Sequence, residues 1–203
     1  MPTPAAGDDN LYTNLDTLKL SMKMTDADRD DLLNAAIRAA SRSIDSYCGR
    51  RFWQDFAVSA RTYSTRGRTV RNCDGTLLLV DDIASDADLA VETGDGSTWT
   101  DVDVDTLDLG PDNAVARGLA ITGLTARTAG WGTRRVRITA YWGWPTVPDE
   151  VAQACLIQAA RLYRRKDSPE GVVGSAEWGV IRVGRVDPDM QALLQPYVIH
   201  GFA

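Results

Sequence analysis

The chain has 203 residues, of which 44% are hydrophobic and 25% charged, a composition typical of a globular protein with one buried core. Its formal net charge of −6 argues against sequence-specific reading of nucleic acid, because that function normally requires a basic face. No apolar run approaches the ~20 residues that a transmembrane helix requires, so we expect no membrane partner. Residues 1–10 lack a basic and an apolar region, which predicts a short disordered lead rather than a signal peptide.

The three cysteines, Cys48, Cys73 and Cys155, lie far apart in the sequence. Their spacing matches no zinc pattern, and His200 is the only histidine, so we expect no metal site. All three are predicted to be reduced thiols in a protein that is made in the cytosol.

Two helices are predicted before residue 50. The first is a short amphipathic segment with apolar residues at Leu11, Leu15, Leu18 and Leu20. The second repeats apolar residues at spacings of three and four from Leu32 to Tyr47. Thr25, with Asp28 three residues later, predicts its N-cap, and Gly49 predicts its end.

The central part of the chain alternates apolar and polar residues with period two, which is typical of strands. Turn signals rich in Gly, Asp and Asn separate the apolar runs. The predicted strands are Val58 to Ser64, Thr76 to Val80, Leu89 to Glu92, Val102 to Leu109, Leu119 to Thr122 and Arg135 to Trp142. With helices before and after them, these strands predict an α+β fold with an antiparallel sheet or small barrel.

An aromatic corner containing Trp142 and Trp144 ends the β region, and Pro148 then opens a helix from Val151 to Lys166. The end of this helix is basic, which suits the negative end of the helix dipole. The arginines concerned are Arg161, Arg164 and Arg165.

Residues 168–186 contain four glycines and two large apolar residues, Trp178 and Ile181. This composition favours a hairpin that packs on a partner, and a simple surface loop is the alternative. Asp187 and Pro188 predict the N-cap and first residue of a short last helix.

The last helix is followed by an apolar tail. The candidate contact residues at this end of the chain are Tyr197 on the apolar side of the last helix, and Ile199 and Phe202 in the tail. Because an apolar terminus is poorly solvated, we expect it to be docked rather than free.

The sequence offers no recognisable catalytic or cofactor site. It contains no nucleophile elbow, P-loop or dinucleotide-binding fingerprint, and His200 in a terminal tail is a poor general base. Asp101, Asp103 and Asp105 resemble the start of a calcium loop, but the following positions depart from that motif. Outward Asp alternating with inward Val is more typical of a half-buried strand. Calcium binding therefore stays a minor alternative, and we expect neither an enzyme nor a cofactor.

Charge is distributed unevenly along the chain. Every charged residue in 74–112 is acidic, and every one in 117–137 is basic. Opposite blocks of this kind can pair within a fold or between subunits. Arg134 and Arg135 are the candidates for the second role.

Several short motifs occur in an order that resembles the head-to-tail connector (adaptor) proteins of long-tailed bacteriophages. The resemblance runs from about Leu11 to Tyr197. Its motifs are the end of the second helix at 47–52, the strand and corner at 136–144, the helix flanks at 147–151 and 164–172, and the last helix at 187–197. It implies one connector domain over 11–203, with helical parts at 11–51 and 147–203 and a β insertion at 52–146.

The resemblance also implies a function. Proteins of this family form a ring, twelvefold in the virion, beneath the portal protein and above a stopper or tail-completion protein. Double-stranded DNA passes through the lumen without being read. The implied location is the neck of a virion, after synthesis in the bacterial cytoplasm. In the family the C-terminal segment engages the portal, and here only Val198 to Ala203 follow the last helix.

The candidate subunit or partner interface combines the residues singled out above. They are Arg134, Arg135, Arg161, Arg164, Arg165, Trp178, Ile181, Tyr197, Ile199 and Phe202. The alternative to a ring component is a monomeric or dimeric module that binds another protein through the Trp178 hairpin.

Overall fold

The computed structural model describes residues 10–127, 130–132, 135–165, 172–173, 181–182 and 187–199. The chain divides into two compact units. The helical unit comprises Met1–Arg51 and Val147–Ala203, and the sheet unit comprises Phe52–Thr146. The predicted single connector domain, including its lead at residues 1–10, stays a prediction, and residues 1–9 lie outside the described part.

The described residues of the helical unit form four α-helices. They are α1 (Leu15–Met22), α2 (Asp30–Cys48), α3 (Asp149–Arg165) and α4 (Pro188–Leu194). Helix α3 packs against both α2 and α4, and the core between them is apolar. None of the described helices is long and apolar enough to cross a membrane.

Helix α2 begins later than the sequence predicts. The proposed N-cap at Thr25 is wrong, because the helix starts at Asp30 with Arg29 at the N-cap position. The N–H of Asp30 donates to the carbonyl of Ala27 at 3.2 Å, and its carboxylate pairs with Lys19 at 2.8 Å. These contacts are found where the sequence predicts a cap by Thr25. The predicted end is confirmed, since Gly49 adopts a left-handed φ of 67° after Cys48.

The part of the sheet unit that the structure describes forms seven antiparallel strands. They are β1 (Ser59–Ser64), β2 (Thr69–Arg71), β3 (Thr76–Gly94), β4 (Trp99–Val102), β5 (Leu107–Gly110), β6 (Ile121–Ala126) and β7 (Arg135–Trp142). The order is β1-β7-β3-β6-β5, and β2 and β4 also pair with β3. The α+β prediction is confirmed, and the sheet is open rather than a barrel.

Strand β3 joins two strands that the sequence predicts separately, 76–80 and 89–92. Irregular register between Leu79 and Ala90 interrupts the alternation that pattern analysis depends on. Strand β2 was not predicted, because its three residues are all exposed and carry no alternating signal.

The single strand predicted over 102–109 is wrong. Strand β4 ends at Val102, a 3-10 turn covers Val104–Thr106, and β5 begins at Leu107. The Asp103 carboxylate accepts the N–H of Asp105 at 3.1 Å, a local bond that competes with strand pairing. Of the alternating Val and Asp residues, Asp101 and Val102 therefore end β4, and Asp103 to Asp105 belong to a capped turn.

A tight corner follows β7 at Gly143. The flanking indoles are anchored, with Trp142 donating to the Ser59 carbonyl at 2.8 Å and Trp144 donating to the Asp82 carboxylate at 3.0 Å. Gly143 has a φ of 104°, and a Cβ there would lie 1.9 Å from the Trp53 carbonyl oxygen. Only glycine fits this corner.

Two further two-residue strands, β8 (Val172–Val173) and β9 (Ile181–Arg182), pair antiparallel in the helical unit. Their pairing brings residues 172–173 and 181–182 of the glycine-rich segment together. Trp178 lies between them, outside the described residues.

Candidate interaction surfaces

The pairing of β3 determines which strands lie at each side of the sheet. Its residue Ile83 pairs with both Ile121 of β6 and Trp142 of β7, so β6 and β7 lie at opposite sides of β3. The first half of β3 also pairs with β2, which must lie opposite β6. The second half also pairs with β4, which must lie opposite β7. Strands β1 and β2 therefore lie at one side, and β4 and β5 at the other.

The side formed by β1 and β2 is positively charged. Residues 57–71 contain four arginines and no acidic residue. We call this segment the basic edge, and its arginines are Arg61, Arg66, Arg68 and Arg71. It lies outside the basic block that the sequence pattern emphasised.

Two arginines of the basic edge are held by the sheet itself. The Arg61 guanidinium lies 4.2 Å from the centre of the Trp142 ring and bonds the Asp81 carboxylate at 2.9 Å. Arg68 lies 5.1 Å from the centre of the Tyr63 ring and 3.7 Å from Asp81. Both side chains are thus positioned by an aromatic ring and by one shared carboxylate.

The other two arginines of this edge have no aromatic or acidic partner among the described residues. Arg66 and Arg71 are exposed, and their side chains form no hydrogen bond or ion pair with any described residue. An exposed cation without a partner is available to a second molecule.

The opposite side of the sheet is negatively charged. Residues 95–112, which hold β4, β5 and the connection between them, contain six aspartates and no Lys or Arg. We call this segment the acidic edge. Asp105 and Asp112 are exposed, whereas Asp108 bonds Arg127 at 2.9 Å. The neighbouring guanidinium lowers the pKa of Asp108 below its ordinary value.

The acidic edge shows no cation site in the described part of the chain. No group of three or more His, Cys, Asp or Glu side chains there is arranged to hold a metal ion. The Asp103 carboxylate, a candidate calcium ligand, accepts the N–H of Asp105 instead.

The basic block 117–137 is partly neutralised within the sheet unit. Arg127 pairs with Asp108, and Arg137 pairs with Glu92 and stacks 4.5 Å from the centre of the Trp99 ring. The hydrogen bond from Arg137 lowers the pKa of Glu92. These two arginines therefore bind acidic side chains of their own chain. The basic edge, by contrast, could have been recognised from the sequence, because residues 57–71 contain no acidic residue.

Arg135 is exposed at the start of β7, where it pairs in register with Ser64 and Gly94. Its side chain lies over Gly96, because a Cβ at that glycine would be 3.5 Å from the Arg135 Cδ. Arg134 lies outside the described residues.

Arg161 and Tyr197 connect α3 and the segment around α4. Arg161 is half-buried and lies 3.6 Å from the Asp187 carboxylate, and the Tyr197 hydroxyl donates to Glu150 at 2.9 Å. Burial, followed by the Glu150 carboxylate, raises the pKa of Tyr197 to about 12. Both side chains thus support the internal packing of the helical unit. Their predicted role at a partner interface stays a prediction.

The last described residues dock on the end of α2. The N–H of Ile199 donates to the carbonyl of Cys48 at 2.8 Å, and its side chain faces Gly49. The same side chain is 46% exposed. The segment is therefore anchored through its backbone and presents an apolar group to solvent. Phe202 lies outside the described residues.

The remaining candidates are distributed over the helical unit. Arg164 and Arg165 are exposed in the last turn of α3. The backbone of Ile181 lies in β9. The structure therefore brings Arg161, Tyr197 and Ile199 into the contacts of one unit, and it places Arg135 on the other.

Comparison with known proteins identifies two kinds of similarity. Residues 12–74 match the family described as phage gp6-like head-tail connector protein. No curated protein matches the chain. A chain from the neck of an empty gene transfer agent particle, computed with C6 symmetry, is 18% identical, with a TM-score of 0.53 over 100% of this chain and 96% of that one.

A chain from the virion of a native gene transfer agent particle is 16% identical, with a TM-score of 0.51 over 99% of this chain and 95% of that one. At such low identity these likenesses concern the fold. The chain is therefore similar to the phage head-tail connector family, as its sequence predicts: residues 12–74 match that family in sequence, and the whole chain shares its fold with chains of gene transfer agent particles.

Proposed function

We propose that this protein is a structural component of the neck that joins head and tail in a phage or phage-like particle. The match of residues 12–74 to head-tail connector proteins carries the proposal. The fold supports it, because similar chains come from the neck and the virion of gene transfer agent particles. In this role the protein is located in the virion neck after synthesis in the bacterial cytoplasm, and it catalyses no reaction.

The proposed assembly is a ring of identical subunits, twelve in the virion. The similar neck was computed with C6 symmetry, which fits a ring whose number of subunits is a multiple of six. A cyclic ring requires two different, complementary surfaces on each subunit, because every contact is head-to-tail. Double-stranded DNA passes through the lumen without base-specific contacts. The ring would face only the phosphate backbone, whose charge is the same for every sequence.

The proposed partners of the ring are the portal protein on one side and a stopper or tail-completion protein on the other. The exposed Ile199 side chain, with Tyr197 and Phe202, is the proposed portal contact. The basic end of α3, with Arg164 and Arg165, and the segment that carries Trp178 are the proposed contacts for other neck proteins.

Deletion of the gene in a strain that produces the particle tests the neck function. We expect filled heads and separate tails, because without the connector no protein links the head to the tail. Complementation should restore joined particles, and a gold-labelled tag should be seen at the neck by electron microscopy. Joined, infectious particles that lack the protein would refute the proposal.

A further inference from the structure

We propose that the basic edge of one subunit docks on the acidic edge of the next subunit around the ring. The occupant of each edge is thus a second copy of this chain. The inference deepens the proposed function by naming the lateral contact. It differs from the predicted pairing of blocks 74–112 and 117–137, which stays a prediction. Two arginines of the second block, Arg127 and Arg137, bind acidic residues within their own chain.

The first argument is the position of the two edges. Strands β1 and β2 lie at one side of β3, and β4 and β5 lie at the other. Surfaces on opposite sides of one sheet cannot meet in the same subunit, and they suit a head-to-tail contact that repeats around an axis. A twofold dimer would instead place one edge against itself, which sets like charges together.

The second argument is the complementary charge. Residues 57–71 carry four positive charges and residues 95–112 carry six negative ones, with no charge of the opposite sign in either segment. The exposed residues that form no ion pair with a described residue include Arg66 and Arg71 on one edge, and Asp105 and Asp112 on the other. Complementary rims of this kind fix the register of an interface and increase the rate of encounter.

The third argument is the apolar surface beside the arginines. Phe56 is 73% exposed and Val58 40% exposed just before β1, and Val70 is 50% exposed in β2. Exposed aromatic and aliphatic groups inside a charged rim are typical of a protein interface, where they supply the buried centre. The basic edge therefore offers more than charge.

DNA phosphate is the competing occupant of the basic edge. Among its arginines, Arg66 and Arg71 alone are exposed and form no ion pair with a described residue, and the net charge of the chain is −6. Non-specific DNA binding depends on many phosphate contacts, so two side chains per subunit favour the protein partner.

Reversal of charge at each edge tests the proposal with the full chain. Arg66→Glu with Arg71→Glu leaves the basic edge with no net charge, and Asp105→Lys with Asp112→Lys reduces the acidic edge from six negative charges to a net charge of −2. We expect each double variant alone to lose self-association about tenfold at low salt, because the attraction between the two edges is then weakened. An equimolar mixture should recover it, because the introduced acidic side chains of one variant can then face the introduced basic side chains of the other.

The matched control for the acidic variant is Lys23→Glu with Arg38→Glu, which changes the net charge equally at exposed positions of the helical unit. Analytical ultracentrifugation across a concentration series should show that this control associates like the wild type. Loss of association in the control, or a mixture no heavier than its separate components, would overturn the proposal.

Covalent capture gives a second measurement that does not depend on stable rings. Cys73 is the exposed native thiol and follows β2 at the basic edge, whereas Cys48 and Cys155 are buried. Asp105→Cys adds a thiol at the acidic edge, and a flexible bismaleimide should then produce a ladder of multimers. Asp26→Cys, exposed in the helical unit, is the control. A ladder no stronger than that of the control contradicts the proposed contact.

The remaining outcomes separate the two proposals. If Arg66→Glu with Arg71→Glu weakens binding to a labelled DNA duplex but leaves self-association unchanged, the basic edge contacts DNA and the lateral contact is refuted. The gene-deletion experiment does not depend on either edge. Separate heads and tails in that experiment, together with unaffected edge variants, would keep the neck function and reject this contact alone.

Discussion

Gly143 lies between two buried tryptophans at the point where the last strand of the sheet ends. Its positive φ and the nearby Trp53 carbonyl leave no space for a side chain. We expect Gly143→Ala to reduce the free energy of unfolding by about 3 kcal/mol, because both backbone strain and steric overlap oppose it.

Gly67→Ala is the matched control for that change. Gly67 also has a positive φ, 78°, but no atom lies within 4 Å of the position its Cβ would take. Its expected cost is about 1 kcal/mol, from backbone strain alone. Urea denaturation of both variants measures the difference, and equal costs would show that the Trp53 carbonyl moves aside.

The three cysteines differ in their exposure to solvent. Cys48 and Cys155 are buried and Cys73 is exposed. Burial raises the pKa of Cys48 and of Cys155 from 9.0 to about 11. Folding thus favours the protonated thiols. Their contribution is complete below pH 9 and is lost as pH rises through about 11.

We therefore expect one thiol, Cys73, to react with an aromatic disulfide reagent in the folded protein, and three in denaturant. The free energy of unfolding should fall between pH 9 and pH 11. The variant Cys48→Ala with Cys155→Ala should lose less free energy of unfolding over this range. Part of the loss should remain, because buried tyrosines contribute to it. Fast labelling of all three thiols without denaturant would contradict the burial of α2 and α3.

At the level of elements, α4 is held by a cap and an ion pair at one residue. The Asp187 carboxylate accepts the N–H of Asp189 at 3.0 Å and also lies 3.6 Å from Arg161. A seven-residue helix is too short to be stable by itself, so its start requires such contacts.

Asp187→Ala should cost about 1 kcal/mol, the usual value of an N-cap, and should also leave the half-buried Arg161 without this partner. Asp189→Ala is the control, because Asp189 is exposed and its side chain forms no hydrogen bond or ion pair with any described residue. Amide hydrogen exchange in α4 should accelerate in the first variant more than in the second. Equal exchange rates would show that the Asp187 cap does not hold α4.

At the level of the molecule, the two ends of the sheet unit lie side by side. The rings of Phe52 and Trp144 are 5.2 Å apart, and the N–H of Trp144 donates to the Trp53 carbonyl at 3.4 Å. A segment whose ends meet can be inserted into a second unit without distorting it. Its hydrophobic cluster is also formed entirely by its own residues.

We expect residues 52–146 expressed alone to fold into the same open sheet. The measurement is a two-dimensional NMR spectrum with dispersed amide signals, together with a cooperative thermal transition. Residues 52–126, which lack β7, are the control and should stay unfolded, because β7 joins β1 to β3. An unfolded 52–146 fragment would show that the sheet depends on the helices, as the single connector domain predicts.

Local sequence patterns were sufficient for the elements whose signal is contained in neighbouring residues. The three-four spacing from Leu32 to Tyr47 predicted α2, Gly49 predicted its end, and Asp187 with Pro188 predicted the start of α4. Alternation predicted the bounds of β7 at Arg135 and Trp142. In each case hydrogen bonding and burial along one segment follow from its own side chains.

The same patterns were insufficient where the backbone departs from regular geometry. Bulges in β3 shift the alternation, and the Asp103 cap turns an apparent strand into two. The interface candidates show the same difference. A run of arginines is visible in the sequence at 117–137. Whether a given guanidinium forms an ion pair within the chain depends on which carboxylate lies opposite it in the sheet.

The amino-acid sequence therefore established the α+β class, the main helices and the resemblance to connector proteins, because these depend on residue order and on periodicity. Strand order, and with it the separation of positive and negative charge onto opposite sides of the sheet, came from the tertiary structure. Pairing between strands far apart in sequence decides which charges are neutralised within the chain and which face another molecule, and no local pattern contains that information.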